Sequence, residues 1–423
     1  SIYCAAIAYT CFSIFSFYIV YFIFVLHGVG TLMPWNMFIN AESYFSEYKL
    51  NVTEASQEYS KNFLSYFGIA AQLPNIIFNG LNLFIQTKGD SLTLRITITL
   101  IIEVLIFLLT ICFAIVDTST WPGAFFYLTM ASVVVLNMAN GVYQNCVYGA
   151  AANLPMKYSN AVVLGSNTSG TLTSVINLIT IAVSPNIRTA AIYYFLTALL
   201  VLLLCFDTYF ALPLCLFTLQ KFYAFYAQLH SQEKSRNNHG SPPYLKILRE
   251  TWPQLLNVFL IFFVTLTIFP AVHANISPLS YETSILPKVY YTPVTCFFVF
   301  NFFAMLGNIV PNWITFPGPK YLWIPVVMRF LFFPFFFFCN YNAEYRKWPV
   351  YITNDYVYIT GGVLLGFTSG YFSSLGMMYA PRCVQPEYAG VAGMMAAFVL
   401  ICGIFLGVNF SLVFSWLSET KIF

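Results

Sequence analysis

Asn137, Asn140 and Gln144 recur at i, i+3 and i+7 within a long apolar run, so their side chains share one helical stripe. Asn301 and Asn308 lie seven apart in another apolar run and share a face in the same way. An amide offers a donor and an acceptor together, so such a set can read the mixed hydrogen-bonding edges of an uncharged solute. A stripe of amides without carboxylates suits a neutral guest better than a cation. Gly, Ser and Thr crowd the same regions, at Gly165-Ser166-Asn167-Thr168-Ser169-Gly170 and again at Gly361-Gly362, Gly366, Thr368, Ser369 and Gly370. Small residues let helices approach closely in lipid, which is the first reading for them. For Gln144, Asn301 and Asn308, helix packing and solute contact are both open.

Other chemistries are poorly supplied. Glu103 and Arg329 are the deepest charges, and pairing between helices is expected of them rather than ion coupling. His27 precedes Gly28 and reads as a packing histidine before a proton relay. The ten cysteines fall mostly in apolar runs, without a CxxC or a His/Cys cluster. Neither a metal site nor a disulfide framework is indicated, and buried thiols acting as small apolar groups are expected. No catalytic constellation and no cofactor motif appears, so the chain reads as a non-enzyme without a cofactor.

The elements that must carry these amides are membrane helices. Hydrophobic residues make up 59% of the 423 residues and charged residues 8%, whereas a soluble domain carries about 25% charged residues. A formal charge of +3 is too small and scattered for nucleic acid. The lipid bilayer and a small-molecule substrate are the expected partners of a monomer. Apolar runs predict about eleven spans, near 14–40, 62–86, 93–116, 123–152, 159–184, 190–213, 252–273, 288–312, 321–341, 355–380 and 387–417. The fold class is therefore all-α: a polytopic bundle with a six-helix unit (1–213), a linker loop (214–250) and a five-helix unit (251–423). The linker is rich in Lys and Arg, with Lys221, Lys234, Arg236, Lys246 and Arg249, and so reads as cytoplasmic. The N-terminus is then inside and the C-terminus outside, although Arg346 and Lys347 fall on the wrong side. Plasma membrane is the expected location. Asn51-Val52-Thr53, in the 41–61 loop placed outside, is a glycosylation sequon.

Details of the spans add expectations. Ser1 to Leu26 is uncharged and over-long, so its first dozen or so residues should tilt, break or lie at the interface. Gly28-Val29-Gly30-Thr31-Leu32-Met33-Pro34-Trp35-Asn36 then puts small and polar residues where a lipid anchor would carry Leu and Val. The run Phe332-Phe333-Pro334-Phe335-Phe336-Phe337-Phe338 reads as lipid-facing bulk, and Trp121 and Trp348 as interfacial anchors.

In order and spacing these motifs resemble the equilibrative nucleoside transporters. The Gly28–Asn36 stretch is similar to that family's first-span motif, and Gln144 with Gly149 and Leu154-Pro155 to its fourth span. Phe269-Pro270-Ala271-Val272 resembles the end of span 7, Phe300-Asn301 with Gly307 span 8, Arg329 with Pro334 and Cys339-Asn340 span 9, and Phe367-Thr368-Ser369-Gly370-Tyr371 span 10. The resemblance implies a major-facilitator-like 6+5 arrangement and facilitative nucleoside transport by alternating access. It also implies a substrate site lined by Leu32, Trp35, Gln72, Gln144, Phe269, Phe297, Asn301 and Ile404.

One departure concerns that site. The family carries Phe-Asn-x-x-Asp-x-x-Gly-Arg on span 8, where this chain has Ala304 in place of the Asp and Asn308 in place of the Arg. Losing both charges together avoids a buried unpaired ion. Gln72 also adds an amide where many members carry Met. A diverged carrier of nucleobases or another small polar solute, or a transport-dead receptor or scaffold, are the alternatives these changes leave open.

Overall fold

The computed structural model describes residues 2–51, 59–60, 63–84, 92–183, 186–219, 242–282, 284–343 and 346–420, without the side chains of 2–17, 64–65 and 211–219. Most of the basic linker, and Val52 and Thr53 of the sequon, lie outside this set.

Eleven membrane helices order the described residues: α1 (Ile2–Asn40), α2 (Phe63–Phe84), α3 (Leu92–Ile115), α4 (Pro122–Ala152), α5 (Met156–Val183), α6 (Ile187–Leu219), α7 (Tyr244–Ile268), α8 (Lys288–Asn312), α9 (Trp323–Phe338), α10 (Asp355–Tyr379) and α11 (Ala389–Glu419). Seven are apolar and long enough to cross a membrane by composition and length. The exceptions are instructive. Helix α9 is short, and α2, α5 and α10 are diluted by the Asn, Ser, Thr and Gly residues that face their neighbours. Helix α8 contains a π-helical turn at Pro293–Phe298.

Helix α1 runs unbroken through Pro34 for 39 residues. Of the three outcomes expected for its first part, a break is not the one taken. At 1.5 Å per residue it is about 58 Å long, so it outruns a hydrocarbon core of about 30 Å by continuing as helix.

Helices α1–α6 pack mainly on one another, as do α7–α11. Glycines set the closest approaches. A side chain at Gly28 would meet the Val162 carbonyl, and one at Gly165 would meet the Val25 carbonyl, so α1 and α5 touch backbone to backbone. Thr31 and Ser166 fasten that contact, both bonding the Gly28 carbonyl, at 2.7 and 3.3 Å.

Two apolar cores result. One fills α1–α6 and continues into Val391, Met394, Ala397 and Leu400 of α11. The other joins α7–α11 around Ile268, Phe300, Phe336 and Phe414. The phenylalanine run belongs to this second core and does not form lipid-facing bulk: Phe336 and Phe337 are buried and the other four are half-buried. Phe336 packs on His273 and Tyr358, and Phe333 on Phe414. Trp348 is also a fastening, because its indole N–H donates to the Leu417 and Thr420 carbonyls at 3.0 Å.

Gly165→Val is expected to lower the melting temperature strongly, because overpacking costs about 1–3 kcal/mol and the obstacle here is backbone. Gly68→Ala, with no heavy atom within 4 Å of the new methyl, should leave it unchanged. Thermal unfolding of the detergent-purified protein checks both.

Candidate functional site

The amides divide into two populations, those with partners in the protein and those without. Along the contact of α2 with α4, Asn75, Asn79 and Asn82 repeat at i, i+4 and i+7 and are all buried. Asn82 donates to Asn145 at 2.7 Å, and Asn145 donates to Asn79 at 2.9 Å and to the Met394 carbonyl of α11 at 2.9 Å. Arg95 closes the chain on Asn82 at 2.9 Å. Above this ladder the pairing stops. The Oδ1 atoms of Asn75 and Asn140 and the Nδ2 of Asn79 have no hydrogen-bond partner. Gln144 is 3% exposed, and its amide bonds to none of the described residues. Buried polar groups are nearly always paired, so such a concentration of unpaired amides marks a place for water or a polar ligand. The α2 asparagine stripe is readable from its spacing and lies beside Gln72, the residue of that helix expected at the site.

The remaining expected lining residues come from α1, α2, α8 and α11 and from the segment just past α7. Leu32, Trp35, Gln72, Phe269, Phe297, Asn301 and Ile404 are all half-buried. Trp35 stacks on Phe67 of α2, with ring centroids 5.2 Å apart, which fixes the indole plane. Phe269, just past the end of α7, stacks on Phe300 at 3.9 Å and meets Phe297 edge-on at 5.8 Å. Asn301 donates to Ser174 of α5 at 3.2 Å and to the Phe297 carbonyl at 2.9 Å, and Gly170 is the residue that makes room for it. Ile404 of α11 packs against the first core.

The two altered span-8 positions behave differently. Ala304 is fully buried, its backbone carbonyl lying where a side chain on Gly370 would fall. Asn308 is also fully buried and its amide is committed to protein. It donates to the Gly370 carbonyl and to Ser374, both at 2.7 Å, and accepts from Asn167 of α5 at 2.5 Å. Asn160 of α5 bonds the Asn308 carbonyl at 3.0 Å and Asn312 at 3.3 Å, and Asn312 donates to Tyr21 of α1 at 3.1 Å. These positions form a seam between α1/α5 and α8/α10.

A second seam joins α2/α4 to α11. Besides Asn145 and Met394, Gly80 makes room for Phe398, and Gly393 lies against the Tyr148 carbonyl. Arg382, after α10, donates to the Leu154 carbonyl, after α4. The second seam lies toward the end that carries the α4–α5 and α10–α11 connections, and the first runs from that end at Asn160 along α5 to Ser174.

The deep charges do not pair. Arg329 donates to the hydroxyls of Thr265 at 2.6 Å and Thr368 at 3.1 Å, wholly among α7–α11. Glu103 lies among α1–α6, with neither carboxyl oxygen hydrogen-bonded. The expected helix-to-helix ion pair fails because the two residues belong to different halves of the fold. His27 is half-satisfied: Nδ1 meets the Tyr143 hydroxyl at 2.8 Å and Nε2 has no partner. Among the described residues no group of His, Cys, Asp or Glu could hold a metal. Asn51 is exposed in a turn beyond α1.

A sequence model of the family described as "Nucleoside transporter" matches residues 130–416. The chain belongs to that family. Equilibrative nucleoside transporter 3 of Rattus norvegicus is 30% identical over 418 residues, which cover 92% of this chain and 86% of that protein. Equilibrative nucleoside transporter 1 of Homo sapiens is 29% identical over 449 residues, covering 93% and 96%. Among solved structures, the major facilitator superfamily proton:xylose symporter XylE superposes with a TM-score of 0.68 at 12% identity, covering 96% of this chain and 90% of its own. The Escherichia coli fucose:proton symporter FucP gives 0.55 at 8% identity. These likenesses are of fold, and the transporter's helices take the major facilitator arrangement. The family is one of transporters, so the half-buried aromatics and unpaired amides are to be read as features of a carrier and not of an enzyme.

Asn167→Ala and Asn308→Ala are each expected to destabilise the transporter by about 1–3 kcal/mol, because each breaks the hydrogen bond that Asn167 donates to the Asn308 side chain. The double substitution should cost less than their sum, because both act on one amide chain. A double-mutant cycle of unfolding free energies measures the coupling, and strict additivity would mean that the two amides act separately.

Proposed function

We propose that this protein carries nucleosides across a membrane by facilitated diffusion. Two helical units, 1–213 and 251–423, joined by the 214–250 linker, would rock about a central site lined by Leu32, Trp35, Gln72, Gln144, Phe269, Phe297, Asn301 and Ile404. The observation that carries this reading is the group of buried amides without protein partners, Gln144 with Asn140 and Asn75. A nucleoside combines an apolar ring face with a polar edge and a hydroxylated sugar. Gln144 would bond the base edge, and Trp35, Phe269 and Phe297 would give the ring its walls. Nothing in this chemistry makes or breaks a covalent bond. Alternating access is then a movement of the two seams, with the conformation described here closed at the α4–α5 end.

The positive residues of the α2–α3, α4–α5 and α10–α11 connections support a cytoplasmic N-terminus and an extracellular C-terminus. In that orientation the closed end faces the cytoplasm, and Asn51 stands outside, exposed and open to glycosylation. A plasma-membrane monomer is the simplest form of this carrier.

The test is flux. Expressed in cells without nucleoside uptake, the protein should give saturable entry of labelled uridine and adenosine; absence of both rejects the substrate. Gln144→Leu should abolish that entry with surface expression retained, since an apolar residue leaves a polar ligand unpaired. Unchanged flux would make Gln144 a packing residue.

A second reading is favoured by the buried, uncharged Ala304 and Asn308: a carrier whose solute is a nucleobase or another small polar molecule. A substrate panel separates the two. Ala304→Asp with Asn308→Arg should create or raise nucleoside flux under this reading, and leave it unchanged or lower under the first.

A further inference from the structure

Glu103 sits twelve positions into the 24-residue helix α3, which places it near the middle of the membrane. It is fully buried, and neither carboxyl oxygen has a hydrogen-bond partner. An ionised carboxylate in such packing carries a desolvation penalty of several kcal/mol with nothing to offset it. The form this packing accepts is the neutral acid.

The groups that face Glu103 make it more than an isolated oddity. Tyr143 comes from α4 and Cys205 from α6, the two helices against which α3 packs. The Tyr143 hydroxyl meets Nδ1 of His27 on α1 at 2.8 Å. Nε2 of His27 is buried without a partner, and the imidazole packs edge-on against Tyr209 of α6 at 5.7 Å. Cys205 donates to the Leu26 carbonyl at 3.3 Å. Gly30 is what lets Tyr143 and Cys205 approach α1, because a methyl there would meet both. The other charges nearby are engaged or turned away: Arg95, two turns along α3, is bonded to Asn82, and Asp207 is exposed. The cluster therefore spans α1, α3, α4 and α6, holds two titratable side chains with unused valences, and ends five residues from Leu32.

We propose that Glu103, buried and unpartnered in the α1–α6 half, is a proton-binding site, and that transport requires its protonated form. The exchange is simple: the O–H bond of the acid breaks when rocking admits water to the α1–α3–α4–α6 interior, the proton passes to that water, and the reverse step restores it. While ionised, Glu103 cannot return to the packing described here, so the carrier waits outside its cycle until a proton binds. This rests on the transporter reading but not on the identity of the solute.

Two readouts test it. Labelled uridine uptake into proteoliposomes is followed from about pH 5.5 to about pH 9, which brackets carboxylate, imidazole and thiol titration. Wild-type uptake should fall as pH rises, approaching about tenfold per pH unit once Glu103 ionises. Glu103→Gln, fixed in a neutral form, should keep the acid-side rate and lose that fall. A flat wild-type profile overturns the proposal, and so does a Glu103→Gln profile like wild type. A fall that disappears in His27→Asn or His273→Asn while persisting in Glu103→Gln assigns the proton elsewhere and also overturns it. The second readout needs no transport. The infrared difference between acid and alkaline purified protein should contain the carbonyl band of a neutral carboxyl that Glu103→Gln removes. Its absence, or its persistence at every pH, sinks the switch. If uridine fails to enter at any pH while the band titrates, the solute assignment is wrong and the proton site stands.

Discussion

Hydrocarbon offers no hydrogen bonds, and every polar group placed within the bilayer must find its partner in the protein or in what the protein encloses. This constraint organises the whole molecule. Asparagines that reach a neighbour become structure, as in the Asn79–Asn145–Asn82 ladder and in the Asn160, Asn167, Asn308 and Asn312 seam. Amides that reach nothing, such as Gln144 and Asn140, mark where the fold keeps a place for something else. The same residue types thus serve two ends, and only the presence or absence of a partner tells them apart.

Much of the architecture was legible from composition. The eleven helices follow from apolar runs, even where α2, α5 and α10 are thinned by polar residues, because those residues stand on the side that meets other helices. What was not legible concerns direction. Lipid tails and protein interiors are equally apolar, so hydrophobicity alone does not say whether Phe336 faces a neighbour or the bilayer. It faces His273 and Tyr358, while Trp323, Met328 and Leu331 of the same helix are exposed. Glu103 and Arg329 look like natural partners in the sequence, but their helices lie in different halves of the fold, which no spacing rule reveals.

The candidate site was readable in part. Phe269 meets Phe297 and stacks on Phe300, and Asn301, one residue on, bonds Ser174, so these three expected residues are neighbours. Asn308 shows the limit of reading by position. At a place where the resemblance led one to expect Arg, it spends both amide hydrogens and its oxygen on Gly370, Ser374 and Asn167. Asn75 and Asn79 illustrate the converse, a regular stripe whose meaning depends on which members the facing helix leaves unpaired.

The α5–α8 seam is stitched by dipoles. Asn160, Asn167, Asn308, Asn312, Ser174 and Tyr21 carry no formal charge, so dissolved ions have little to screen there and a transmembrane voltage has nothing there to pull. Parting this seam is an electrically silent event, indifferent to the potential of the cell in which it occurs.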